Sequence, residues 1–259
     1  MSAELHHIIT GQKLRPEQVA ERTVAIHLEL LERSSYLKVP NFHIIHPQDL
    51  ELLFDAYDAA FFQGAVRRAV GNAPLRFALS KRLTSAGGKT KRTRTRATGA
   101  LSYELSVSST ILFNSFEEGD HRAIVACGLE CRDRLEAVQR IMEHEITHLI
   151  ELLVWNKSKC SASRFQAITR NFFGHKAHTH SLITPRETAY VKHGIRSGST
   201  VTFVLDGKQH VGVVNRVTRR ATVLIEDPQG VRYTNGKHYF KCYVPVELLT
   251  VVGGIARGS

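Results

Sequence analysis

Glu143-His144-Glu145-Ile146-Thr147-His148-Leu149-Ile150-Glu151 is the stretch on which the reading of this chain turns. It holds His-Glu-x-x-His inside an apolar run. On an α-helix, side chains four residues apart share a face, so His144 and His148 can aim both imidazoles at one point. That spacing suits two ligands of a tetrahedral zinc ion, with Glu145 beside them to take a proton from the attacking water. The helix signal holds in both directions. Asp133-Arg134-Leu135-Glu136 offers an N-cap aspartate with an acid three residues on. Leu135, Val138, Ile141, Met142, Leu149 and Leu152 then carry an apolar stripe to about Trp155. After a polar break, a further helix is expected from about Ala162 to Phe173, stopped by Gly174.

A catalytic zinc takes three protein ligands and keeps one position open. Glu151 shares the helix face of the two histidines but lies a further turn along, which suits a supporting partner better than a ligand. The third ligand is expected from the segment after the helix turns back. Cys127 and Cys131 stand at a helical spacing with no second pair nearby, so they do not read as a structural zinc site.

Upstream, Pro16 and Pro47 stand where first helical turns begin. Residues 1–44 read as a helical lead-in. Leu50, Leu53, Phe54, Tyr57, Ala60 and Phe61 give the next helix an apolar face, ended at Gly64. Leu75–Ser80 and Leu101–Val107 alternate as half-buried strands do. Between them lie Lys81, Arg82, Lys89, Lys91, Arg92, Arg94 and Arg96, with Gly87-Gly88 in the middle, expected as a strand end and a flexible loop or hairpin. Ile111-Leu112-Phe113 extends the apolar signal towards an acidic turn at Glu117-Glu118-Gly119-Asp120. Residues 176–194 read as a connector. Beyond it, Val201–Leu205, Asp206-Gly207, His210–Asn215, Ala221–Glu226 closed by Asp227-Pro228-Gln229-Gly230, and Lys241–Val244 give short strands with tight turns. They are expected to build a small all-β, SH3-like barrel over residues 195–255.

The chain has 259 residues and a formal net charge of +11. Such a surplus favours a polyanionic partner, and the basic segment, Lys89, Lys91, Arg92, Arg94 and Arg96 above all, is the candidate nucleic-acid contact. No run approaches the ~20 apolar residues that span a bilayer, and the first residues lack a secretory pattern. Four scattered cysteines form no disulfide scaffold. The expected compartment is the cytoplasm, with no membrane partner.

Leu53-Phe54-Asp55-Ala56-Tyr57-Asp58-Ala59-Ala60-Phe61-Phe62-Gln63-Gly64, the two following strands, the His-Glu-x-x-His helix and the Arg164-Phe165 helix occur in one order. In that order the chain resembles the SprT-like zinc metalloproteases over residues 45–185. The resemblance implies an α+β, zincin-like domain with an active-site helix, a zinc cofactor and peptide hydrolysis. The best known members cut proteins attached to DNA. The family sets its third histidine four residues before the aromatic of the second helix. Counting back from Phe165, that position is Ser161, a poor ligand, with Cys160 just before it. A cysteine thiolate binds zinc well, which favours Cys160, with His175 next and His178 and His180 also open. The alternative is a nucleic-acid- or ribosome-associated binding protein with a structural or vestigial zinc site.

Overall fold

The computed structural model describes residues 2–117 and 119–252. It divides into two units, Met1–Leu182 and Ile183–Ser259, and the chain as a whole is of mixed α+β class.

The first unit opens with α1 (Ser2–Gly11), α2 (Pro16–Arg33), α3 (Pro47–Phe62) and α4 (Ala65–Val70). Pro16 and Pro47 each occupy a first helical turn, where the missing N–H has no helical partner to lose. β1 (Leu75–Ser80), β2 (Gly88–Arg94) and β3 (Leu101–Ser108) form a sheet in the order β1-β3-β2, with β1 parallel and β2 antiparallel to β3. α5 (Ser109–Asn114) follows, capped by Ser108 Oγ accepting from the Ile111 N–H. The apolar Ile111-Leu112-Phe113 lies within this helix. In the acidic turn Asp120 accepts from the Phe116 and Glu117 N–H groups, while Glu118 lies outside the described residues.

β4 (Ile124–Ala126) and β5 (Leu129–Cys131) form a hairpin through Cys127-Gly128, both with positive φ, 54° and 74°. Two such residues make the hairpin turn whose twist matches the strands. Cys127 and Cys131 therefore sit on a hairpin, not a helix. α6 (Arg134–Trp155) and α7 (Ser163–Phe173) come next, and β6 (His180–Ser181) pairs with β4 inside the segment expected as a connector.

α6 is the axis of this unit. Asp133 caps it by accepting from the Glu136 N–H, and Asn156 in the left-handed region ends it. It packs against α1, α3, α7, β2 and β3, so side chains around its circumference from Leu135 to Glu151 are buried. Aromatic rings of α3 and α7 fill the core beside it: Tyr57, Phe61 and Phe62 stack edge-on or tilted against Phe172 and Phe173 at 5.0–6.0 Å. Such pairs add ~0.5–1.5 kcal/mol each beyond the area they bury. The N-terminal segment is no separate lead-in. It makes two helices, and α1 packs on α4 and α6 with Leu5 fully buried.

The second unit starts with α8 (Pro185–His193), whose Thr184 cap accepts from the Glu187 N–H. β7 (Thr200–Leu205), β8 (Lys208–Val217), β9 (Ala221–Arg232), β10 (His238–Val244) and β11 (Thr250–Val251) then form a five-stranded antiparallel sheet in the order β10-β9-β8-β7-β11. Asp206-Gly207, with φ of 51° and 72°, makes the β7–β8 turn that the dipeptide predicts. Alternate residues, among them Val201, Phe203, Val223 and Val244, pack with Ala189 of α8 in one core. β9 runs on to Arg232, through the Asp227–Gly230 stretch expected to close it, and a register shift in β10 accommodates the extra residues. Residues 253–255 of the expected barrel lie outside the described residues. Among those described, no helix is long and apolar enough to cross a membrane.

Candidate metal centre

His144 and His148 are one turn apart on α6, and their Nε2 atoms converge to 3.1 Å. Burial holds both imidazoles neutral: His144 is pushed down to about 2, helped by His180 and His148, and His148 is also lowered. Neutral imidazole is the form that ligates a metal. Cys160, in the break after α6, brings a thiol to the same point, so that one ligand atom from each of the three residues lies within 4.8 Å of the others. Zinc bonds of about 2.0–2.3 Å in a tetrahedron separate neighbouring ligands by about 3.5 Å. The donor set fits zinc in type and in scale.

The outer nitrogens of the two rings are engaged differently. His148 Nδ1 lies 2.6 Å from Ser158 Oγ, and Ser158 donates at 2.7 Å to Glu151 Oε2. Glu151 is fully buried and also accepts from the Lys159 N–H and from Arg164 Nε. With the Ser158 proton committed to Glu151, its oxygen accepts from His148 Nδ1–H, which leaves the Nε2 lone pair facing the point where the two imidazoles converge. His144 Nδ1 lies 3.9 Å from Cys127 Sγ, which is itself 3.7 Å from His180 Nδ1. Cys127, His144 and His180 thus form a second compact group of donors that shares His144. Cys127 is fully buried, and burial drives its thiol pKa far upward, away from the thiolate a metal needs. The group with Cys160 instead borders open space.

That space is a cleft of about 660 Å³. Its walls include Gly88, Thr90 and Arg92 of β2, His144, Glu145, His148 and Leu152 of α6, and Ser158, Cys160, His178 and His180 from the loops. Among the described residues β2 is an edge of its sheet, with β3 as its one strand neighbour. Glu145 is only 3% exposed, and burial raises its pKa to about 7 against the opposing effect of Thr90. The Thr90 hydroxyl sits 2.8 Å from Glu145 Oε2 and 2.9 Å from the Glu145 carbonyl oxygen. The glycines next to Thr90 serve close approach, not flexibility. A Cβ on Gly88 would stand 2.7 Å from Glu145 Oε1 and 2.8 Å from Ile141 Cγ2.

His144, Glu145, His148 and Cys160 therefore meet at one cleft, with His178 and His180 on its wall. His175 does not join them: it is buried with Nε2 2.7 Å from Glu143 Oε2. Glu143 also accepts from Tyr57 at 2.6 Å and from Arg140 at 2.8 Å. Burial alone would raise its pKa, but Arg140 and the His175 and Tyr57 bonds hold it below the usual value. No sequence signal marked this anchor beyond the position of Glu143 beside the motif. Ser158 was equally unmarked, while Glu151 stands where a supporting partner was expected.

The basic segment is not one patch. Alternation along β2 turns Thr90 and Arg92 towards α6, where Arg92 bonds Asn156, and leaves Lys89 and Lys91 exposed on the opposite face. Arg94 ends the strand and Arg96 lies beyond it, both exposed. Compared with family models, with curated proteins and with solved structures, the chain gives no match.

Proposed function

We propose that this chain is a zinc-dependent peptidase of zincin type, similar to the SprT-like enzymes, acting on proteins associated with nucleic acid. The observation that carries the reading is the convergence of His144 Nε2, His148 Nε2 and Cys160 at a cleft whose wall includes Glu145. His144, His148 and Cys160 would hold the ion. Zinc bound there supplies Lewis acidity, polarising a scissile carbonyl and acidifying a water molecule.

The remaining work falls to the chain. A Glu145 carboxylate oxygen accepts the proton of the attacking water and returns it to the leaving amine. Thr90 orients that carboxylate through its hydroxyl. An extended peptide can lie along the free edge of β2, where backbone N–H and C=O groups await a partner. Ser158 and Glu151 fix the tautomer of His148.

Glu145→Gln should keep zinc, measured as bound metal per chain, while cleavage of unfolded or DNA-bound proteins falls on the order of 10²–10⁴-fold. One feature favours a second reading. A thiolate at Cys160 donates more charge to the ion than an imidazole and so weakens its acidity. If the zinc-loaded wild type cleaves nothing across a broad protein panel, the chain is instead a nucleic-acid- or ribosome-associated binding protein with a structural zinc.

A further inference from the structure

The face of the β1-β3-β2 sheet that looks away from α6 has a character of its own. In register across the strands, Lys89, Ser106 and Ala78 form one row, and Lys91, Glu104 and Arg76 the next. Lys81 and Arg82, just past β1, complete the wall of a groove of about 620 Å³ that also includes Ser80, Ser106 and Lys89. Arg76, Lys81, Arg82, Lys89 and Lys91 are all exposed.

Among the described residues, none of these five side chains makes an ion pair or hydrogen bond, although Glu104 stands in their midst. Elsewhere in the same unit several arginines are matched to carboxylates: Arg67 to Asp55, Arg68 to Glu4, Arg134 to Glu117, Arg140 to Glu143 and Arg164 to Glu151. Five unmatched cations on one face repel each other, and a polyanion relieves that repulsion while releasing its own counterions.

We propose that this groove docks the phosphodiester backbone of double-helical nucleic acid. Lys and Arg with small hydroxyl residues between them contact phosphates and read no sequence. Unpaired bases call for aromatic platforms, and the aromatics of these strands lie on the other face: Phe77 packs on Phe54, and Tyr103 is buried. The proposal deepens the peptidase reading and rests on it for the use to which binding is put. One strand, β2, then meets nucleic acid with Lys89 and Lys91 and the cleft with Thr90 and Arg92, Lys89 bordering both.

The test is binding of the full zinc-loaded chain to a short DNA duplex of random sequence, followed by fluorescence anisotropy across a salt series. Lys89→Ala/Lys91→Ala should weaken binding about tenfold or more and reduce the slope of log affinity against log salt by ~2, since each lost phosphate contact removes ~0.9. The same net-charge change at Lys13→Ala/Arg33→Ala, exposed residues in the loop after α1 and at the end of α2, should leave affinity within about twofold. All four side chains are exposed, and thermal unfolding checks that each variant folds. Unchanged affinity and slope in the first variant overturn the proposal. So does an equal loss in the second, which would make net charge the cause, and so does tighter binding of a single strand than of the duplex. No cleavage enters the readout, so failure of the peptidase reading leaves this result standing, and failure here leaves Glu145 and the metal centre untouched.

Discussion

Behind His148, Nδ1 meets Ser158 Oγ at 2.6 Å, and the contact continues to a buried Glu151 fixed by Arg164. Behind His144, Nδ1 meets Cys127 Sγ at 3.9 Å, on a hairpin turn contributed by a different part of the chain. One ring is steered by short oxygen bonds ending on a carboxylate, the other by a soft and weakly polar sulfur contact within packed surroundings. A single helix thus presents two candidate ligands whose orientation has unequal origins. Phe165 packs on both rings, 4.8 Å from His144 and 4.6 Å from His148, so the difference lies behind them: His148 is held by its bond to Ser158, and His144 by the packing of Cys127 and His180.

A third flank gives the largest expected effect. Gly88→Ala drives a methyl group into Glu145 and Ile141 and should shift the Glu145 carboxylate. A misplacement of that size costs about 10²-fold in turnover. Zinc content measured alongside should be unchanged, because neither histidine moves. Next in size, Ser158→Ala removes the oxygen between His148 and Glu151, and zinc affinity should fall ~10–100-fold in a chelator competition. Cys127→Ala should cost less than tenfold in the same assay, about the low end of what an orienting partner contributes. Equal losses in these last two variants would break the contrast between the histidines. A Cys127→Ala loss larger than that of Ser158→Ala would reverse it.

What the sequence revealed follows what is local. Helix α6 was legible because its apolar residues recur at three and four, and because Asp133 and Glu136 mark its start. Glu151 was legible as a partner since seven residues return it to the face of His144. Ser158 was not, because its position depends on how the chain leaves Asn156 in a left-handed conformation. Cys127-Gly128 hid its turn, for cysteine is not a residue that announces positive φ. Gly87-Gly88 misled in a different way. Paired glycines signal freedom, yet here the demand comes from a helix distant in sequence that presses against the strand. Leu5 and Ile8 likewise owe their burial to α4 and α6, which no local pattern in residues 1–44 discloses.

The four cysteines differ sharply in what a reagent can reach. Cys127, Cys131 and Cys242 are buried, and burial pushes the Cys131 thiol up to about 12. Cys160 is half-buried on the wall of the cleft. An alkylating agent added to the native protein therefore finds one reactive sulfur, at the spot where the ion would bind. A metal seated on that sulfur shields it, so the rate of labelling becomes a direct gauge of how full the centre is, read by mass and free of any substrate.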